Sequence, residues 1–144
     1  MQSQVQGQCL LTIGSHGLGP GRFDEPDGLA LTPDEAFLLV VDCQNRRVVV
    51  LCANDGSWVR ELSGPPDTLQ DPFAIAIVPS TGEVLVSDLD LNRVVCFPSI
   101  EDDTSVKILG TRKGNGPSEF NGPTGLAVFD GPFQQPVRLI CHCS

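Results

Sequence analysis

Gly17-Leu18-Gly19-Pro20-Gly21-Arg22-Phe23-Asp24-Glu25-Pro26 returns 97 residues later as Gly114-Asn115-Gly116-Pro117-Ser118-Glu119-Phe120-Asn121-Gly122-Pro123. Both stretches read G-x-G-P-x-x-F-x-x-P. Between them, Leu69-Gln70-Asp71-Pro72 is a weaker copy that occupies the Phe-x-x-Pro positions. The three prolines, Pro26, Pro72 and Pro123, stand 46 and 51 residues apart. A period in this range is the mark of a repeat architecture, in which each repeat is one supersecondary unit.

The segment after each proline repeats as well. Gly28-Leu29-Ala30-Leu31, Ala74-Ile75-Ala76-Ile77 and Gly125-Leu126-Ala127-Val128 alternate small and apolar residues. Such a strand can sit where neighbouring strands crowd together. Phe37 to Asp42 and Val84 to Asp88 are apolar runs ending in Asp, and Arg47 to Leu51 and Arg93 to Phe97 open on Arg. Fourth strands are expected at Trp58 to Leu62 and Ser105 to Leu109. Each run is too short for a helix and is bounded by Gly, Pro, Asn or Asp. Pro33-Asp34, Asn54-Asp55-Gly56 and Ser80-Thr81-Gly82 supply turns. Four short strands per unit of about 40–50 residues is the arithmetic of a propeller blade. The fold class is therefore all-β, a partial β-propeller of four-stranded antiparallel blades.

The opening motif, with Gly28-Leu29-Ala30-Leu31 and the run Val41-Asp42-Cys43-Gln44-Asn45-Arg46-Arg47-Val48, resembles the NHL repeat. The resemblance covers residues from about 9 to 130. The second unit departs from it, with Gly64-Pro65-Pro66 as its glycine turn and Leu91 where the first has Asn45. The pattern is lost from Phe129 to Pro136. Divided on the repeat, the chain has a disordered tail at 1–7, an outer strand at 8–13, and blades at 14–62 and 63–109. An incomplete blade occupies 110–144, with a second strand at Val137 to Cys141. NHL propellers close with about six blades, so the resemblance implies a fragment of a larger protein, a ring completed by self-association, or a short array.

Charge narrows the partner. Nine basic against eighteen acidic residues give a net charge of −9, which opposes phosphate backbones. One Trp, no Tyr and seven Phe make a poor stacking platform for bases. A protein partner is expected before nucleic acid. No apolar run approaches the roughly 20 residues that span a bilayer, so no membrane association is expected. The N-terminus lacks the basic and apolar regions of a signal peptide, which points to the cytoplasm. Cys9, Cys43, Cys52, Cys96, Cys141 and Cys143 show no CxxC…CxxC pattern; with Cys9, Cys52 and Cys96 in apolar stretches, buried reduced thiols are expected rather than a disulfide framework.

Asp42 and Asp88 admit two readings: carboxylates ringing a channel, or hairpin partners of Arg47 and Arg93 that set turn geometry. The second is expected, because each Asp has an Arg five residues later. Lactonases and the peptide-amidating lyase are enzymatic relatives implied by the resemblance, holding calcium or zinc at the channel. With His16 and His142 as the only histidines, a zinc enzyme is not expected; no cofactor or metal is assigned, and a calcium site of oxygen ligands stays open. Cys141-His142-Cys143-Ser144 is read as an incidental tail rather than a metal site or a prenylation signal. No nucleophile elbow is present, and the glycine runs lack the strand-to-helix context of a phosphate loop.

The expected function is a non-catalytic interaction module, with the rim loops as the binding face. That rim carries His16, Arg22, Asp24, Gln44, Asn45, Arg46, Gln70, Asp90, Asn92, Arg112, Lys113, Asn115 and Asn121. The resemblance also implies association with ubiquitin ligases, although the chain has no RING or B-box cysteine pattern. The alternatives are a fragment of a metal-dependent lactonase-like or lyase-like enzyme and a single-stranded RNA-binding propeller. Arg22, Arg46, Arg112 and Lys113 would carry the latter.

Overall fold

The computed structural model describes residues 7–110, 112–129 and 138–143, and their regular structure is strand throughout. Two four-stranded antiparallel sheets succeed one another along the chain. The first is β3 (Pro26–Leu31), β4 (Phe37–Asp42), β5 (Arg47–Cys52) and β6 (Trp58–Leu62), paired in chain order. The second is β7 (Pro72–Ile77), β8 (Val84–Asp88), β9 (Arg93–Phe97) and β10 (Lys107–Leu109), paired the same way. A third sheet joins β11 (Pro123–Phe129) to β12 (Arg138–Cys143). The short parallel pair β1 (Ser15–His16) and β2 (Arg22–Phe23) lies within the glycine-rich motif.

β-Branched residues in β4, β5, β8 and β9 favour extended backbone and fill the pleated surface. Successive side chains point to opposite faces, and both faces of the second sheet are apolar because it lies between the first and the third. On the forward face of the first sheet, Leu39, Val41, Val48 and Val50 meet Ile75, Val84, Val86, Val95 and Phe97 of the second. On the forward face of the second, Leu85, Val94 and Cys96 meet Leu126 and Val128 of the third. The core is thus a series of seams between sheets stacked face to face.

The two halves of the repeated motif have distinct jobs. Phe23 packs on Val40, Val49 and Leu51, Leu69 joins the seam between the first two sheets, and Phe120 covers Leu85 and Val94. Gly14 and Gly110 have φ of 90° and 104°, and a Cβ there would come within 2.5 Å of the Phe23 ring and 2.7 Å of the Phe120 ring. Only glycine combines that backbone with that proximity. The small residue after the proline is explained too. A Cβ on Gly28 would lie 2.6 Å from the Phe73 carbonyl oxygen, where β3 approaches β7.

Some expectations need correction. Residues 8–13 form no strand. A strand needs a hydrogen-bonded neighbour, and the described residues supply none there. The expected fourth strand at 105–109 is shortened to Lys107–Leu109. Asp102 bonds the amides of Thr104 and Ser105 and holds that segment as a turn. Cys9 is exposed and Cys52 half-buried, so only Cys43 and Cys96 of these four free thiols are buried. The tail at 1–6 lies outside the described residues.

Candidate functional site

The β4–β5 hairpin tip and the loop before β3 meet at one end of the first sheet, and the β8–β9 tip and the loop before β7 meet at the same end of the second. Two buried carboxylates hold them there. Asp42 is fully buried and accepts from the Asp24 amide at 2.7 Å, Asn45 Nδ2 at 2.9 Å and Arg47 Nε at 2.9 Å. Asp88, also fully buried, accepts from the Gln70 amide at 2.7 Å, the Asp71 amide at 3.3 Å and the Leu91 amide at 2.9 Å. Leu91 therefore takes over from Asn45 through its backbone N–H, and the carboxylate remains satisfied.

The arginines clamp the same loops. Arg47 Nη2 donates to the Gly19 and Arg22 carbonyls, and Arg93 Nη2 to the Asp67 and Thr68 carbonyls. Arg47 also bonds Glu61 at 2.7 Å. Its guanidinium is held above the ordinary arginine value: burial opposes the charge, but the bonds to Asp42 and Glu61 outweigh it. The hairpin pairing expected of Asp and Arg forms in the first sheet. In the second it does not: Arg93 bonds the loop carbonyls while its Nε has no partner among the described residues.

Cys43, beside Asp42, donates its thiol proton to Asp71 Oδ1 at 2.8 Å and ties the first hairpin to the loop of the second sheet. Burial first, then the bond to Asp71 and nearby carboxylates, push its pKa from 9.0 to about 12. Burial and Glu83 push the Cys96 thiol up to about 11. Cys43 is protonated in both folded and unfolded chains below pH 9.0, where it adds no pH dependence. Between there and about 12 only the unfolded thiol ionises, so stability falls as pH rises through that window. Urea midpoints at the two ends of the window should show a steeper alkaline loss for the wild type than for Cys43→Ala.

The thirteen rim residues lie on these loops, but they differ in freedom. Arg46, Asp90, Lys113 and Asn115 are exposed. Others are engaged: Asn45 Nδ2 reaches the Gly17 carbonyl as well as Asp42, and Asn92 Oδ1 accepts from the Gly122 amide at 2.9 Å. Gln44 bonds Glu25, His16 lies 3.3 Å from Asp24, and Arg112 pairs with Glu119. Gln70 reaches Asp67 at 3.5 Å, while Arg22 is exposed and Asn121 half-buried. Sequence reading missed Pro65, Pro66 and Asp67, which with Arg46 and Gln70 line a rim recess of about 290 Å³ between the two sheets. The Gly64-Pro65-Pro66 break in the repeat was their signal.

Among the described residues, no three His, Cys, Asp or Glu side chains stand close enough to hold a metal ion. The side chains of Cys141, His142 and Cys143 lie outside the description. No helix among the described residues is long and apolar enough to cross a membrane.

Two complete four-stranded sheets, stacked forward face to back face with a third begun, decide the architecture. The chain is a partial β-propeller. Its sheets are blades. No protein-family profile matches the chain, and no curated protein does. Among solved structures it is similar to Kuenenia stuttgartiensis hydrazine synthase, with a TM-score of 0.56 and 16% identity over 78% of this chain. The match spans 29% of that chain, and the likeness is one of fold alone.

Proposed function

We propose that this is an NHL-type propeller unit acting as a non-catalytic interaction module, whose rim loops engage a protein partner. One observation carries the reading. The acidic groups best placed to act as channel ligands, Asp42 and Asp88, are fully buried and taken up by bonds that hold the loops in shape. Rigid loops presenting polar side chains are the usual vehicle of recognition on a scaffold. Exposed Arg46 and Asp90 stand on the tips so fixed, and Arg46 borders the recess formed by Pro65, Pro66, Asp67 and Gln70. The net charge of −9 favours a protein over a polyanion.

The test is parallel affinity capture with wild type and an Arg46→Glu/Asp90→Lys/Lys113→Glu variant, alongside thermal melts with and without calcium or zinc. A partner held by wild type and lost by an equally stable variant is expected, with melts indifferent to metal. Equal capture by both proteins overturns the rim assignment. A melt raised by metal supports the enzyme reading instead.

A further inference from the structure

The two blades hold the same arginine in different company. Val49 pairs with Glu61 across β5 and β6, and Val95, 46 residues later, pairs with Ile108 across β9 and β10. Ile108 therefore stands where the first blade has Glu61. Arg47 donates from Nη1 to Glu61 and from Nε to Asp42. Arg93 does neither. Its Nη2 is fixed by the Asp67 and Thr68 carbonyls, and its Nε is buried without a partner. Its Nη1 meets no acceptor among the described residues.

Nor does any carboxylate oxygen among the described residues lie within ion-pairing distance of Arg93. Asp88, opposite it in the hairpin, accepts from the Gln70, Asp71 and Leu91 amides instead. Arg60 also has a buried, unpartnered Nε, but Asp103 lies 3.8 Å from its Nη2. Arg22 and Arg46 are exposed, where water screens their charge. Arg93 is half-buried, and a cation withdrawn from water calls for a counter-charge. The neighbourhood is open to one: Ile108 is 41% exposed, and Asp67 is exposed as well.

We propose that Arg93 is a carboxylate-binding subsite at the rim end of the seam between the first two blades, taking an acidic side chain in the place that Glu61 takes at Arg47. That this side chain belongs to a protein partner rests on the interaction-module reading; the subsite itself does not. Two carbonyl bonds hold the guanidinium ready, so little order is lost on binding. A charge-assisted N–H···O bond to a carboxylate is the contact the first blade already makes at this position. A phosphate would bring a larger negative charge to a site bordered by Asp67 and Asp88. Ile108 adds an apolar wall for the methylenes of a glutamate.

The test is a titration followed through the arginine Nε–H resonances, with N-acetyl-glutamate amide as the probe and sodium chloride at matched ionic strength as the control. The Arg93 resonance of the wild type should move saturably with the probe alone. Ile108→Glu, which supplies the carboxylate from within the chain, should weaken that binding at least about tenfold. A shift equalled by chloride, or equal binding by the variant, overturns the proposal. If Ile108→Glu is unfolded by circular dichroism, Glu61→Ile decides. It recreates the second blade's arrangement at Arg47, and a second arginine resonance should then titrate; none doing so overturns the proposal. Because the probe is a defined carboxylate, binding at Arg93 with no partner captured by the rim counts against the interaction-module reading and still supports the subsite.

Discussion

Replacing Asp42 by Ala should lower the unfolding free energy by about 3–5 kcal/mol, since it leaves a buried cationic partner uncompensated. Arg47 is 4% exposed and would keep Glu61 as its ionic partner. The Glu61 side chain is 44% exposed, so its attraction is weakened by water and cannot replace a fully buried carboxylate. The Asp24 amide and Asn45 Nδ2 lose their acceptor too, adding the cost of unmet donors. Domains of ordinary stability have only about 5–15 kcal/mol to lose. Asp42→Asn should fall between wild type and alanine, because its amide oxygen can still accept but carries no charge for Arg47. Urea denaturation of the three proteins measures this. A loss below about 1 kcal/mol for alanine, the range of an exposed pair, would mean that the carboxylate does not organise the hairpin.

The second hairpin shows where legibility ended. Asp88 and Arg93 repeat Asp42 and Arg47 in sequence, and an identical pair is the natural expectation. The carboxylate's role does repeat, but through the Leu91 amide instead of an asparagine side chain, and Arg93 turns wholly to the loop carbonyls. Sequence identity records which side chains are present. It does not record which backbone N–H groups a hairpin turns inward.

The strands were legible for a simple reason. β4, β8 and β9 are apolar runs punctuated by Asp, Arg and turn residues, and their bounds fall where that punctuation changes. Residues 8–13 are also apolar in part, yet form no strand, because strand formation depends on a neighbour elsewhere in space. The rim was visible as a set of loops but not as a site. Asn45 and Asn92 read as free polar residues in the sequence, whereas both hold backbone in place. The recess at Pro65 and Pro66 arises from two blades meeting, which no single repeat encodes.

That dependence on the seam makes a second large effect expected. Phe97→Ala should cost about 3–5 kcal/mol, through lost burial and the cavity left behind. Phe97 is fully buried among Leu39, Val41, Val48 and Val50 of one blade and Val84, Val86 and Val95 of its own. Leu51 holds the equivalent position in the first blade, on the face that no other sheet among the described residues covers. Its neighbours are Phe23, Val40 and Val49, and its truncation should fall near the lower end of the roughly 2–5 kcal/mol range for Leu→Ala. Chemical denaturation of the two variants separates two accounts of stability. A much larger loss at Phe97 places the stabilising free energy in the contact between blades. Equal losses would place it within each sheet.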